Sequence, residues 1–228
     1  MAGERMTSTE IWLRLMHTGS LCGDVMVEAA ARLQRQEGID TLVLRNAGLT
    51  AKQAERFVAL NESELERSLI WLEQPGHHLL TANHPLYPPL LRTIPDYPGA
   101  LFIKGNPEAL NTVQLAVVGS RAPSWYGERW GKILCEQLSQ SGFTITSGLA
   151  CGIDGVAHSA ALSVKGRSVA VLGNGLFSIY PRRHQALAMR LIESDGAIVS
   201  EFPLSAQPRP ANFCLLYTSP SPRDGLLS

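Results

Sequence analysis

The stretch 143–162, FTITSGLACGIDGVAHSAAL, constrains what this chain can fold into more than any other. It opens with Phe143, Thr144, Ile145 and Thr146, aromatic and β-branched types that favour a pleated, half-buried surface. Gly148, Gly152 and Gly155 then break the run. Val156, Ala157, Ala160, Ala161 and Val164 follow at helical spacing and form one apolar stripe. Strand, glycine-rich turn and helix make half of a βαβ unit. Backbone N–H groups at such a helix start lack intrahelical partners and sit at the positive end of the helix dipole, so the turn suits an anion, usually a phosphate.

The same alternation extends over 106–213. Continuous apolar runs at 115–118, 168–172 and 197–200 read as buried strands. The segment 126–141 reads as a helix with Trp130, Ile133, Leu134 and Leu138 on its inner face and Gly142 closing its end. A further helix over 183–194 turns Leu187, Ala188, Leu191 and Ile192 inward. Strands alternating with helices imply a parallel sheet, and continuous rather than alternating apolar strands imply that helices cover both its faces. The expected fold class is therefore α/β.

Residues 1–80 read differently, as a small all-helical domain. Ile11, Leu15 and Met16 share a face, 24–36 is alanine-rich and stops at Gly38, and Thr50 with Gln53 three residues on forms a capping box. Ala54, Phe57, Val58 and Leu65 continue that apolar side, and 62–72 is helical again before Pro75-Gly76. Acidic residues slightly outnumber basic ones over 1–105, which favours protein docking over DNA contact for this part. Five prolines between Pro85 and Pro98 mark 81–105 as a stiff connector that ends in a short edge strand from Ala100.

In an open parallel sheet, ligands bind beyond the carboxyl ends of the strands. Four segments fall there: Gly119-Ser120-Arg121, the turn 147–154, the run from Gly173 to Leu176, and the turn after Glu201. Arg121 directly follows a strand, and its planar fork matches phosphate geometry. Arg182 and Arg183 open the next helix at the same rim. The whole chain balances 20 basic against 20 acidic residues, so any nucleic-acid binding must come from a local patch. Each turn is also compatible with a generic tight turn. Asp154 is a helix cap or a ligand-positioning carboxylate, His158 a structural or a catalytic histidine, and Tyr180 a packing residue or a base-stacking platform. No catalytic constellation, metal-ligand spacing or cofactor motif is present, and no metal or cofactor is expected. The four cysteines have no paired spacing and read as reduced thiols of a cytoplasmic protein. There is no apolar run of membrane-spanning length and no secretory signal core, so no membrane association is expected.

Five pieces taken together resemble the DNA-processing protein A family, DprA or Smf: YPPLLRTIPDYPGALFIKG at 87–105, AVVGSRAPSWYG at 116–127, SGLACGIDGVAH at 147–158, VAVLGNGLFSIYP at 169–181 and GAIVSEFP at 196–203. The resemblance implies a Rossmann-like sheet domain over 106–213 that binds single-stranded DNA, protects incoming strands and loads the RecA recombinase during natural transformation. It also implies a homodimer and no enzymatic activity. Carried onto this sequence, the DNA and phosphate site comprises Gly119, Ser120, Arg121, Ser147, Gly148, Gly152, Asp154, Asn174, Gly175, Arg182 and Arg183, with Arg209 a weaker candidate. The rival is a nucleoside monophosphate hydrolase-like enzyme on the same fold. The PGGxGTxxE element of such enzymes is absent here.

After Phe213 the resemblance stops. The family continues into an Arg-Asn-Arg helix start, whereas this chain reads CLLYTSPSPRDGLLS. Cys214 to Asp224 corresponds to the translation of a transposase sequencing adapter. Residues 214–228 are thus expected to be a non-native tail, with the last part of the sheet domain missing and an uncovered sheet edge left behind.

Overall fold

A computed structural model describes residues 5–209; the expectation for 214–228 lies outside them. The chain forms two compact units, Met1–Phe102 and Ile103–Ser228.

The first unit contains α1 (Ser8–His17), α2 (Gly23–Leu33), α3 (Thr41–Asn46), α4 (Ala51–Val58) and α5 (Glu62–Leu72), then β1 (His77–Thr81) and the start of β2 (Ala100–Gly105). Each of four helices begins where a short polar side chain accepts a backbone N–H: Thr7, Asp40, Thr50 and Asn61. At Thr50 both halves of the capping box form, as the Thr/Gln spacing predicts. The apolar faces meet in one core around Ile11, Leu15, Leu33, Leu44 and fully buried Phe57. Arg14 is buried there with its charge answered: Nε donates to Glu10 at 3.0 Å and a guanidinium nitrogen to the Phe57 carbonyl at 3.1 Å. Three details depart from the sequence reading. The stretch read as helical up to residue 80 ends in a strand, β1, because the neighbouring β2 takes up its backbone hydrogen bonds. Helix α3 has six residues, too short to show a period, and only Asp40 signals it. Val58, expected inside, is exposed, because Ala54 and Phe57 already occupy the inward face of α4.

The second unit holds β3 (Gln114–Ala116), α6 (Trp125–Gln140), β4 (Thr144–Ser147), α7 (Ile153–Ser163), β5 (Ser168–Val171), α8 (Gln185–Glu193) and β6 (Ala197–Ser200). Strands β3 to β6 pair in parallel, with Leu115 beside Ile145, Thr146 beside Val169 and Ala170 beside Ile198. The sheet order is β1-β2-β6-β5-β4-β3. Helices α6, α7 and α8 pack against these strands. The α/β class with a preceding helical domain is thus the observed one. Cys135, Ile145, Ala157, Ala160 and Ala161 form the core between α6, β4 and α7. The small residues of α7 let α6 come close, and Gly131 of α6 lies against Ile153 and Val156.

Three expectations need correction. Strand β2 is not an edge strand: it lies between β1 and β6, and its first four residues are buried. Strand β3 is not buried. It is the last strand in the order, and Gln114 and Ala116 are exposed. An apolar run cannot report how many neighbours its strand will have. Nor does α6 bury its whole apolar face: Trp130 and Leu134 are 44% and 52% exposed. The residues of α6 that reach the alanines of α7 are Cys135 and the partly buried Leu138, while Ser139 lies against Gly166.

Candidate nucleic-acid interface

Above the carboxyl ends of β3, β4 and β5 lies a small cleft of about 80 Å³, lined by Val118, Gly119, Arg121, Ser147, Gly148 and Asp154 among others. The geometry that brings them together starts at Gly152. Its φ is +83°, a left-handed value glycine adopts without penalty. A Cβ there would stand 2.2 Å from the Ser120 carbonyl oxygen and under 3 Å from the Arg121 backbone. The turn after β4 can therefore touch the turn after β3 only with glycine at this position. The first N–H of α7, on Ile153, donates to the Ser120 carbonyl at 3.1 Å. That corrects the expectation of an entirely unpartnered helix start: one donor is already used to lock the two turns together.

Asp154, in the first turn of α7, is 8% exposed. Its carboxylate accepts the Ala150 N–H at 3.2 Å, so it braces the glycine turn from within. Burial pushes its carboxyl above the ordinary carboxylate range, while the backbone N–H groups of Ala150 and Gly148 and the Arg121 guanidinium oppose that rise. The Ser147 hydroxyl donates to the Val117 carbonyl at 2.6 Å and fastens β4 to the end of β3. Arg121 itself is exposed at the cleft wall.

The remaining candidates fall elsewhere. Asn174 is buried, and its amide nitrogen donates to the carbonyls of Gly175 and Ser178, each at 2.9 Å, holding its own loop. Gly175 lies against the Pro203 and Leu204 carbonyls, and its N–H donates to Ala206, so it seats the chain returning from β6. Neither residue lines the cleft. Arg182 and Arg183 are exposed on a 3-10 turn, Arg182–His184, after a cis Tyr180-Pro181 peptide. They do not line it either, but the turn is tied to the glycine loop: His184 Nδ1 bonds the Leu149 carbonyl at 2.8 Å. Sequence reasoning missed His184, since a single histidine after two arginines carries no spacing signal. Arg209 is exposed at the end of the described residues.

His158 is fully buried. The Ser168 hydroxyl donates to the Ile145 carbonyl, so His158 Nδ1 must donate to Ser168 Oγ, 2.7 Å away. Burial first, and His184 second, push its pKa down to about 3. A neutral ring inside the core, bridging α7 to β5, is a structural histidine and not an acid–base group. Cys22, Cys135 and Cys151 carry no disulfide. Among the described residues no group of three or more His, Cys, Asp or Glu could hold a metal ion, and no helix is long and apolar enough to cross a membrane.

Comparison with known proteins adds to this geometry. The profile described as DNA recombination-mediator protein A matches residues 78–215, and one described as an SMF/DprA SAM domain matches residues 6–70. Protein Smf of Escherichia coli K12 is 59% identical over 208 residues, 91% of this chain and 56% of that protein. The chain thus spans little more than half the length of this relative. The X-ray structure of DNA processing protein A from Streptococcus pneumoniae superposes with a TM-score of 0.72 at 28% identity, over 92% of this chain and 72% of that one. The Helicobacter pylori protein of the same name, described by its single-stranded DNA binding mode, superposes with a TM-score of 0.54 at 26% identity, over 61% of each chain.

Proposed function

Because this chain belongs to the DNA recombination-mediator protein A family, we propose that it binds single-stranded DNA through the cleft at Arg121. The observation that carries this reading is the convergence of Arg121 with the turns at Gly119 and Gly148 above the strand ends. Arg121 clamps a phosphate, and the glycine turns let the backbone of the strand approach closely. The contacts fall on phosphate and so carry no sequence readout. Arg182, Arg183 and Arg209 contribute charge from the rim, while Asp154 and Ser147 hold the turns. The bound strand is protected and passed to the RecA recombinase during DNA uptake, by a homodimer acting in the cytoplasm. The family's description as a recombination mediator supports that role.

Filter binding of single- and double-stranded oligonucleotides over a range of salt tests the cleft. Arg121→Ala is expected to weaken single-strand binding and to lower the slope of log affinity against log salt by about 0.7, the value for one phosphate contact on a single strand. Unchanged affinity and slope at low and high salt alike would refute it.

A further inference from the structure

Next to the cleft, on the outer side of α6 and α7, lies a larger groove of about 540 Å³. Trp125 forms one wall, 69% exposed, with the Arg129 guanidinium stacked 5.3 Å from its ring. Lys132 continues that wall, and Val156 and Ala160 of α7 line the opposite side. A tryptophan and an arginine held face to face in open solvent bury little of the area that usually rewards such side chains, which marks the surface as one that meets something.

Cleft and groove share their supports. Arg121 lines the cleft and Trp125 the groove, separated by at most about 14 Å of chain. Asp154 lines the cleft and Val156, in the same turn of α7, the groove. Four nucleotides cover about 14 Å even at the stacked rise of ~3.4 Å each. The groove carries little charge: Arg129 and Lys132 line it with Glu128, and just outside it Glu136 pairs with Lys132 at 3.8 Å and accepts from the Ser163 hydroxyl at 3.0 Å. An aromatic wall with only a small positive excess suits a flat base stacked beside a phosphate held elsewhere.

We infer that the α6–α7 groove is a base-stacking subsite in which Trp125, backed by Arg129, takes bases of the same strand whose phosphate sits at Arg121. This rests on the strand-binding function proposed above and adds a second contact to it. Stacking on an aromatic face is indifferent to base identity, since every base has a π-face. The occupant is nucleic acid rather than polypeptide because the tryptophan is paired with a cation and placed a few residues from the phosphate cleft. The opposite stripe of α6, Tyr126, Trp130 and Leu134, lacks that pairing.

Tryptophan emission gives a direct readout. Trp12 and Trp71 are buried, so quenching by added DNA reports Trp125 and Trp130. The 228-residue protein is titrated with a short oligothymidylate that fills only the cleft and with a long one that reaches the groove. The long strand is expected to quench and to bind more tightly. Trp125→Leu should weaken the long strand by roughly five- to hundred-fold and leave the short one unchanged, and Trp125→Phe should restore most of the loss. Equal affinity of Trp125→Leu and wild type for the long strand overturns the subsite, as does equal weakening by Leu and Phe. Arg121→Ala separates this from failure of the cleft: if it too leaves both strands unaffected, the strand-binding reading itself falls. A blue shift with rising protein concentration, without DNA, that is absent from Trp125→Leu would show that a second polypeptide covers Trp125 and would also overturn the proposal, whereas dimerisation that leaves the Trp125 emission unshifted is the behaviour expected of the homodimer proposed above.

Discussion

Replacing Gly152 by alanine puts the central contact of the site to the test. The added Cβ would meet the Ser120 carbonyl oxygen at 2.2 Å and Arg121 backbone carbons at 2.7 and 2.8 Å. All three are backbone atoms, so no flexible side chain can swing away. Two costs add. Holding a non-glycine residue at φ +83°, ψ −131° costs roughly 1–3 kcal/mol, and relieving the overlap costs about another 1–3 kcal/mol. The sum, about 2–6 kcal/mol, is a large share of the roughly 5–15 kcal/mol that holds a domain folded. Urea denaturation of Gly152→Ala, followed by far-UV circular dichroism, should show a lowered midpoint. Gly38→Ala serves as the control, since nothing lies within 4 Å of its Cβ position, and should stay within about 0.5 kcal/mol of wild type. Whatever Gly152→Ala protein folds must have pushed the Ser120–Arg121 segment outward, so its affinity for single-stranded DNA should fall as well. A variant within about 1 kcal/mol of wild type that binds DNA normally would show that the two turns are not locked by this contact.

Two further outcomes follow from groups inside the fold. His158 binds a proton only near pH 3 when folded but at its ordinary value of 6.5 when unfolded. The unfolded chain therefore holds more protons in that window, and stability is lost as pH falls through it, by about 2 kcal/mol between pH 7 and pH 5. Urea midpoints across this range should show the slope in the wild type and a shallower one in His158→Gln; equal slopes would refute the assignment. Thr50→Ala removes the side-chain cap of α4 and should cost about 1 kcal/mol in the first unit, read as a lowered thermal midpoint; an unchanged midpoint would show that the cap is not supporting the helix.

The elements were legible in the sequence wherever the signal is local. Thr50 and Gln53 announce α4 because a capping box is made by residues three apart. Gly142, at φ 92°, closes α6 as its position predicts. The runs at β5 and β6 are continuous because both faces of those strands are covered. Local pattern failed where the answer depends on a distant neighbour. The apolar run at β3 looks like those of β5 and β6, yet its strand is exposed. The stripe at Trp130 and Leu134 looks like a core face, yet the contact with α7 falls on Cys135 and Leu138 and leaves it exposed.

The candidate site divides the same way. Residue types alone marked Gly119, Arg121, Gly148 and Asp154, since a guanidinium and glycine turns after strands are signals that need no partner. That Asn174 holds its own loop rests on bonds one and four residues away which no motif announces, while the seating of the chain after β6 at Gly175 and the pinning of the rim to Leu149 by His184 follow from contacts 30 or so residues apart in the chain. The sequence by itself determined the order of strands and helices and the turns that end them, because those rest on interactions within a few residues. Only the tertiary structure decided which turns converge, because a cleft is built from carbonyls, N–H groups and side chains whose proximity is fixed by sheet register and helix packing, neither of which is written in any one segment.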